Sequence, residues 1–151
     1  MIKLFIQGIP ECIAMVAVCF AFACFPLQWP KIIVIGMLLG LFVFGLRMLP
    51  IPFGLHSIIG CIFVAIVLNY WIHIRFLRAL YGVFVAMACV IIFEVVCTQV
   101  LEIIWGVTYT EIRSNSVRWI ISGIPQVILL FITAIVKNRI NLIKGNLIIN
   151  N

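Results

Sequence analysis

The stretch from Ala79 to Trp105 reads ALYGVFVAMACVIIFEVVCTQVLEIIW, and its apolar length decides the fold. A helix needs about 20 such residues to cross the hydrocarbon of a bilayer. The stretch contains two carboxylates, Glu94 and Glu102, but no basic residue that could neutralise them. A charged side chain at the centre of a membrane helix costs about 2.5–3.5 kcal/mol on insertion scales, so the two glutamates are the first candidates for a functional site.

The composition of the whole chain places most of it in lipid. Of 151 residues, 66% are hydrophobic and 9% are charged, and the mean hydropathy is +1.35. A soluble domain of this size could not bury so much apolar surface. Backbone in lipid must satisfy its own hydrogen bonds, and the apolar runs lack the two-residue alternation of a membrane barrel. The sequence therefore predicts an all-α, polytopic helical membrane protein.

Breaks rich in Pro and Gly divide the chain into about five transmembrane helices, which we expect to form a bundle. The first span is interpreted as a retained helix, because a cleaved leader has a continuous apolar core and Pro10 and Glu11 interrupt it here. Residues 137–151 are predicted to be a basic amphipathic tail on the cytoplasmic membrane face, or the start of a signalling linker. The predicted spans are 4–25, 32–48, 54–72, 79–105 and 118–136.

The distribution of Lys and Arg sets the orientation of the bundle. Four basic residues fall on the side of the N-terminus, and six fall on the other side: Lys31, Arg75, Arg78, Lys137, Arg139 and Lys144. By the positive-inside rule, the N-terminus lies outside and the C-terminus in the cytoplasm, as a multi-pass protein of the cell membrane. The net charge of +6 is explained by basic residues at the cytoplasmic helix ends, which face anionic lipid headgroups. It implies no nucleic acid partner.

In this orientation, polar side chains collect in the outer half of the predicted bundle. Glu94, Thr98 and Glu102 are spaced by four residues and share one helical stripe. We expect an outward-facing polar pocket that takes a ligand, with Arg47 as the counter-charge of a glutamate. The alternative is that each residue snorkels or forms one hydrogen bond between helices. The predicted pocket residues are Glu94, Glu102, Arg47, Thr98, Gln99, His56, Glu11 and Gln126.

Two short segments with a proline inside a span resemble each other. They read Gly8-Ile9-Pro10-Glu11 and Gly123-Ile124-Pro125-Gln126. Because proline cannot donate a backbone hydrogen bond, Pro10 and Pro125 are predicted helix kinks, and broken helices line many transporter sites. The similarity is either an internal repeat or a chance match. A further segment, Gly36 to Gly40, has the small-xxx-small spacing of a helix-packing face or a dimer contact.

The motifs of common enzymes are missing from the sequence. It has no Gly-rich phosphate loop, no Gly-x-Ser-x-Gly motif and no aspartate. His56 and His73 fall at opposite faces of the predicted membrane region, and the six cysteines lie in apolar runs without metal-ligand spacing. We therefore expect no cofactor, no metal site and no disulfide framework. We also expect no catalysis, although Glu94 and Glu102 leave intramembrane catalysis open.

The stretch from Arg47 to Ile59, RMLPIPFGLHSII, carries a family resemblance together with Ile9-Pro10-Glu11 and Ile124-Pro125-Gln126. It resembles the N-terminal membrane sensor region of bacterial, mostly Firmicute, sensor histidine kinases with a GHKL-type ATPase domain, which are akin to peptide-pheromone receptors. The resemblance implies an input module that passes an outside signal through the C-terminal helix. The family's phospho-accepting histidine and ATP-binding domain have no counterpart here. Catalysis is therefore not carried over, and we expect a stand-alone sensor-like subunit or a fragment.

Three functional hypotheses remain open at the level of sequence. The first is a non-catalytic membrane sensor, input or partner-binding module built around the polar pocket. The second is a small transporter or channel subunit in which Glu94 carries a proton or cation. The third is an assembly subunit whose polar residues only join helices. The partners expected are the lipid bilayer, another membrane protein or a second copy, and an extracellular peptide or small ligand.

Overall fold

The computed structural model describes residues 7–47, 55–106 and 116–145, and the regular structure in these ranges is helical. The helices are α1 (Ile9–Phe22), α2 (Trp29–Arg47), α3 (Leu55–Ile72), α4 (Phe76–Trp105) and α5 (Ser116–Ile143). No strand occurs in these ranges, so the prediction of an all-α protein is confirmed for them. The predicted break at 49–54 lies outside the described residues, and so does the predicted break at 106–115 except for Gly106, which follows the end of α4.

Three of the helices are long and apolar enough to cross a membrane. The qualifying segments are Trp29–Leu46, Phe76–Trp105 and Ile121–Ile143. Between 22% and 28% of these segments is buried inside the protein, so most of their apolar surface faces outward, as contact with lipid requires. Two shorter apolar helical segments, Ile9–Phe22 and Ile58–Ile72, accompany them. The chain is therefore a multi-pass membrane protein.

The first helix forms the centre of the bundle. α1 packs against α2, α4 and α5, whereas α3 packs against α2 and α4. Every residue of α1 from Ala14 to Ala21 is buried, so this part of the helix has no face toward lipid. A helix that is apolar on all sides is expected in such a position. Its small residues, among them Ala17 and Cys19, let the neighbouring backbones approach closely.

Glycines on the surrounding helices make this close approach possible. A Cβ atom added at Gly36 of α2 would lie 2.6 Å from the Cα atom of Ile13. One added at Gly82 of α4 would lie 2.7 Å from the carbonyl oxygen of Cys19. Carbon atoms in contact are about 3.5–4.0 Å apart, so neither position has room for a side chain. The small-xxx-small face that begins at Gly36 thus packs against α1.

The last helix extends beyond the predicted span, which ended at residue 136. α5 continues to Ile143, so the beginning of the predicted tail is helical, and residues 146–151 lie outside the described part. Asn141 anchors the extension, because its Nδ2 atom donates a 2.6 Å hydrogen bond to the carbonyl oxygen of Ala21 in α1. The ammonium group of Lys137 lies 5.2 Å from the centre of the Phe22 ring. These two polar contacts hold the extension of α5 against α1.

Candidate functional site

The two proline-containing tetrapeptides lie side by side on parallel helices. Gln126 donates a hydrogen bond of 3.0 Å from Nε2 to Oε1 of Glu11, and these are the last residues of the two tetrapeptides. At the other end of the same helix pair, Asn141 contacts Ala21. The earlier residue of α1 contacts the earlier residue of α5, and the later residue contacts the later one, so α1 and α5 run parallel. Pro10 and Pro125 are therefore at matching positions on adjacent helices.

Gln7, Glu11 and Gln126 form a polar cluster between these two helices. Gln126 is only 4% exposed. One turn before Glu11, the side-chain amide of Gln7 packs directly against Gly123, where a Cβ atom would overlap it. Oε1 of Gln7 is buried and has no hydrogen-bond partner. The cluster thus combines one carboxylate and two carboxamides, which join helices separated by more than 100 residues in the chain.

Glu94, in contrast, lies on the outer surface of the bundle. Its side chain is exposed, and so are those of its apolar neighbours Ile91 (55%) and Val95 (49%). Thr98, one turn further along α4, is half-buried. We call Ile91, Glu94, Val95 and Thr98 the Glu94 surface. It is an apolar helix face, turned away from the rest of the bundle, that carries a carboxylate.

The length of α4 fixes how deep its carboxylates lie in the membrane. At about 1.5 Å per residue, Glu94 is about 24 Å along the helix from Arg78, and Glu102 is about 36 Å away. The hydrocarbon layer is about 30 Å thick. With Arg78 at the level of the headgroups, Glu94 lies within hydrocarbon and Glu102 lies beyond it. In that placement Glu94 lies about 6 Å inside the far boundary of the hydrocarbon, so of these two carboxylates only Glu94 is within lipid.

Charges of opposite sign occupy opposite ends of the described bundle. Lys31 opens α2, Arg75 and Arg78 open α4, and the remaining described basic side chains are at the end of α5. We call this the basic end. The described carboxylates are Glu11 near the start of α1 and the two in the second half of α4, and we call their end the acidic end. Among the described side chains, no cation thus lies near Glu94 at its own end.

The remaining predicted pocket residues are placed only in part. Gln99 is exposed and Glu102 is half-buried, both on α4. Arg47 ends α2 and His56 is near the start of α3, which puts their backbones at the acidic end. Their side chains lie outside the described part of the structure, so the predicted pairing of Arg47 with a glutamate stays a prediction. The structure brings together Glu11 and Gln126, and places Glu94 on a different surface.

Two grooves lie at the basic end, where the sequence analysis had proposed no site. One is lined by Pro30, Lys31, Val34, Ile35, Trp71 and Ile72, and the other by Asn69, Tyr70, His73, Ile74 and Arg75. Gln7 is not among the predicted pocket residues, although its spacing of four residues from Glu11 places both on one helix face. Within the described residues, no group of three His, Cys, Asp or Glu side chains could hold a metal ion. All six cysteines are free thiols.

Comparison with known proteins adds no assignment. No protein-family model, curated protein or solved structure matches this chain at a significant level. The function therefore has to be argued from the chemistry of the polar cluster, the Glu94 surface and the two ends of the bundle.

Proposed function

We propose that this chain is a non-catalytic, multi-pass module of the cell membrane that binds a second membrane protein through the Glu94 surface. The exposure of Glu94 on an apolar helix face carries this proposal. A charged side chain costs about 2.5–3.5 kcal/mol at the centre of the hydrocarbon and less toward its edges, and such residues are almost always turned toward protein or water. Glu94 is turned away from its own bundle. A partner helix that covers it removes the cost.

Charge complementarity defines the partner. The described basic side chains of this chain are all at the basic end, and the side chains of Arg47 and His56 at the acidic end lie outside the described part. The described residues of a second copy therefore supply no cation for Glu94. A transmembrane helix with a basic side chain at matching depth can neutralise Glu94, while apolar residues of that helix cover Ile91 and Val95. Half-buried Thr98 offers a hydroxyl group on the same stripe. The partner proposed is therefore a membrane helix that carries a Lys, Arg or His residue.

The sensor function implied by the family resemblance is part of this proposal. The polar cluster at the acidic end joins α1 to α5, and α5 continues to the basic end, where it contacts α1 again through Asn141. A ligand that disturbs the acidic end would thereby displace α5, and α5 would carry this displacement to its contact with α1 at the basic end. The six basic side chains at the far end support an orientation with the N-terminus outside and the C-terminus in the cytoplasm.

Site-specific photo-crosslinking in native membranes tests the proposal. A benzoylphenylalanine at Ile91 should form an adduct with one heterologous membrane protein whose spanning helix carries a basic residue. Glu94→Leu should reduce the adduct about 3- to 30-fold, the equivalent of about 0.6–2 kcal/mol for a polar contact between membrane helices. Glu94→Lys should abolish the adduct. Replacing the basic residue of the partner by glutamate should then restore it.

The matched control places the same crosslinker at Ile132 of α5, which is equally exposed (51%) but distant from Glu94 in sequence and on another helix. Equal adducts from Ile91 and Ile132, or an adduct with the mass of two copies, would contradict the partner proposal. Proteoliposomes provide the other decisive measurement. Proton flux that is lost in Glu94→Gln would show that the transporter hypothesis is the right one.

A further inference from the structure

The grooves at the basic end lie on either side of the last turn of α3. The first groove runs between α2 and α3 and has a volume of about 230 Å³. Lys31 and Pro30 belong to the beginning of α2, and Val34 and Ile35 follow one turn deeper along the same helix. From the α3 side, Trp71 and Ile72 complete the wall. The groove thus has a cation at one level and apolar side chains one helical turn below it.

The second groove adds polar groups next to the first. It is open, with a volume of about 690 Å³, and His73 and Arg75 contribute to its wall. Asn69 shapes this corner, because its Nδ2 atom donates a 2.9 Å hydrogen bond to the carbonyl oxygen of Ile74. Trp71 and Tyr70 are 56% and 83% exposed. Exposed Trp and Tyr side chains are typical of the membrane–water interface, so both grooves open at the level of the lipid headgroups.

The electrostatic surroundings favour an anion at this level. The basic end holds all of the described Lys and Arg side chains and none of the described carboxylates. A soluble anion would use the cation of the first groove but not the apolar wall below it. A neutral lipid would use the apolar wall but not the cation. A ligand with a phosphate group above a hydrocarbon chain matches both.

We propose that an anionic phospholipid binds between α2 and α3, with its phosphate at Lys31 and one acyl chain in the groove formed by Val34, Ile35, Trp71 and Ile72. Arg75 and His73 of the neighbouring groove face the rest of the headgroup. Each basic side chain near an anionic surface changes the affinity about fivefold. This site is independent of the Glu94 surface, which lies at the other end of the bundle.

Native mass spectrometry and thermal unfolding of the full chain in mild detergent test the site. Phosphatidylglycerol should stay bound when the protein is released from the detergent micelle in the gas phase, and it should raise the Tm. Phosphatidylcholine at the same concentration should do neither. Lys31→Gln should weaken phosphatidylglycerol retention about fivefold. Val34→Trp should weaken it through the apolar wall with the charge unchanged. The Tm of each variant in phosphatidylcholine should match that of the parent, which shows that the variant folds.

Two matched controls separate this site from general attraction to a basic surface. Lys144→Gln removes the same charge at the same end, and Met37→Trp adds the same ring on an exposed face of α2 that lines neither groove. Both should retain phosphatidylglycerol as the parent does. Equal losses in Lys31→Gln and Lys144→Gln would overturn the proposal in favour of diffuse electrostatics. Equal stabilisation by inorganic phosphate would overturn it in favour of a soluble anion.

Discussion

Replacing Gly36 by alanine tests the close packing of α2 on the central helix. The new Cβ atom would lie 2.6 Å from both Cα and Cγ1 of Ile13 and 2.9 Å from its backbone nitrogen. Contact distances of about 3.5–4.0 Å require the two helices to separate by about 1 Å, because backbone atoms cannot rotate aside. Overpacking of this kind costs about 1–3 kcal/mol. Alanine recovers at most about 1 kcal/mol through its higher helix propensity.

The expected net result is a destabilisation of up to about 2 kcal/mol, which corresponds to a fall in Tm of up to about 8 °C for a chain of this length. In a variant whose other five cysteines are replaced by alanine, the buried thiol of Cys19 provides the assay, since it reacts with a fluorogenic maleimide only after the bundle opens. Gly45→Ala is the matched control on the same helix, because nothing lies within 4 Å of its added Cβ atom. It should be neutral or stabilising. If Gly36→Ala is as stable as Gly45→Ala, α1 and α2 do not pack as closely as described.

Four further substitutions probe the ends of helices. Asn141→Leu removes the donor to the Ala21 carbonyl and should cost about 1–3 kcal/mol, measured as a lower Tm. Ile143→Ala, at a side chain that is 86% exposed, should leave the Tm unchanged; equal Tm values for the two variants would contradict the anchoring role of Asn141. His73 and Cys24 adopt left-handed backbone angles, with φ of 57° and 58°. This conformation costs a non-glycine residue about 1–2 kcal/mol, so His73→Gly and Cys24→Gly should each raise the Tm. A lower Tm in both variants would contradict the left-handed conformation at these two helix ends.

Much of the helical framework follows from local sequence. The apolar run from Ala79 to Trp105 predicts α4, which begins three residues earlier at Phe76 and ends at the predicted residue. The packing of the end of α5 against α1 does not follow from local sequence, which predicts an amphipathic tail on the membrane face from residue 137. Lys137, Asn138 and Asn141 look like a polar tail, but Asn141 is buried against α1 in the folded chain. Hydropathy reports the average environment of a segment and carries no information about a hydrogen bond to a residue 120 positions away.

The candidate site was predictable as a set of residues but not as an arrangement. Its polar residues stand out because few polar side chains occur in the spans. Which way Glu94 points depends on the rotation of α4 about its own axis, and apolar residues surround Glu94 in sequence on every side. The direct contact of Glu11 with Gln126 needed the parallel packing of α1 on α5, which two similar tetrapeptides suggest but do not require.

The central position of α1 has a consequence for the way the protein is made. α1 is the first of these helices to leave the ribosome, yet the contacts that enclose it come from α2, α4 and, last of all, α5. The hydrogen bonds from Gln126 and Asn141 link α1 to residues 115 and 120 positions later in the chain. Contacts of such high sequence separation form late. Until α5 has been synthesised, the side of α1 that α5 will cover stays open to lipid, chaperones and the insertion machinery, and the contacts around α1 are complete only when α5 packs against it.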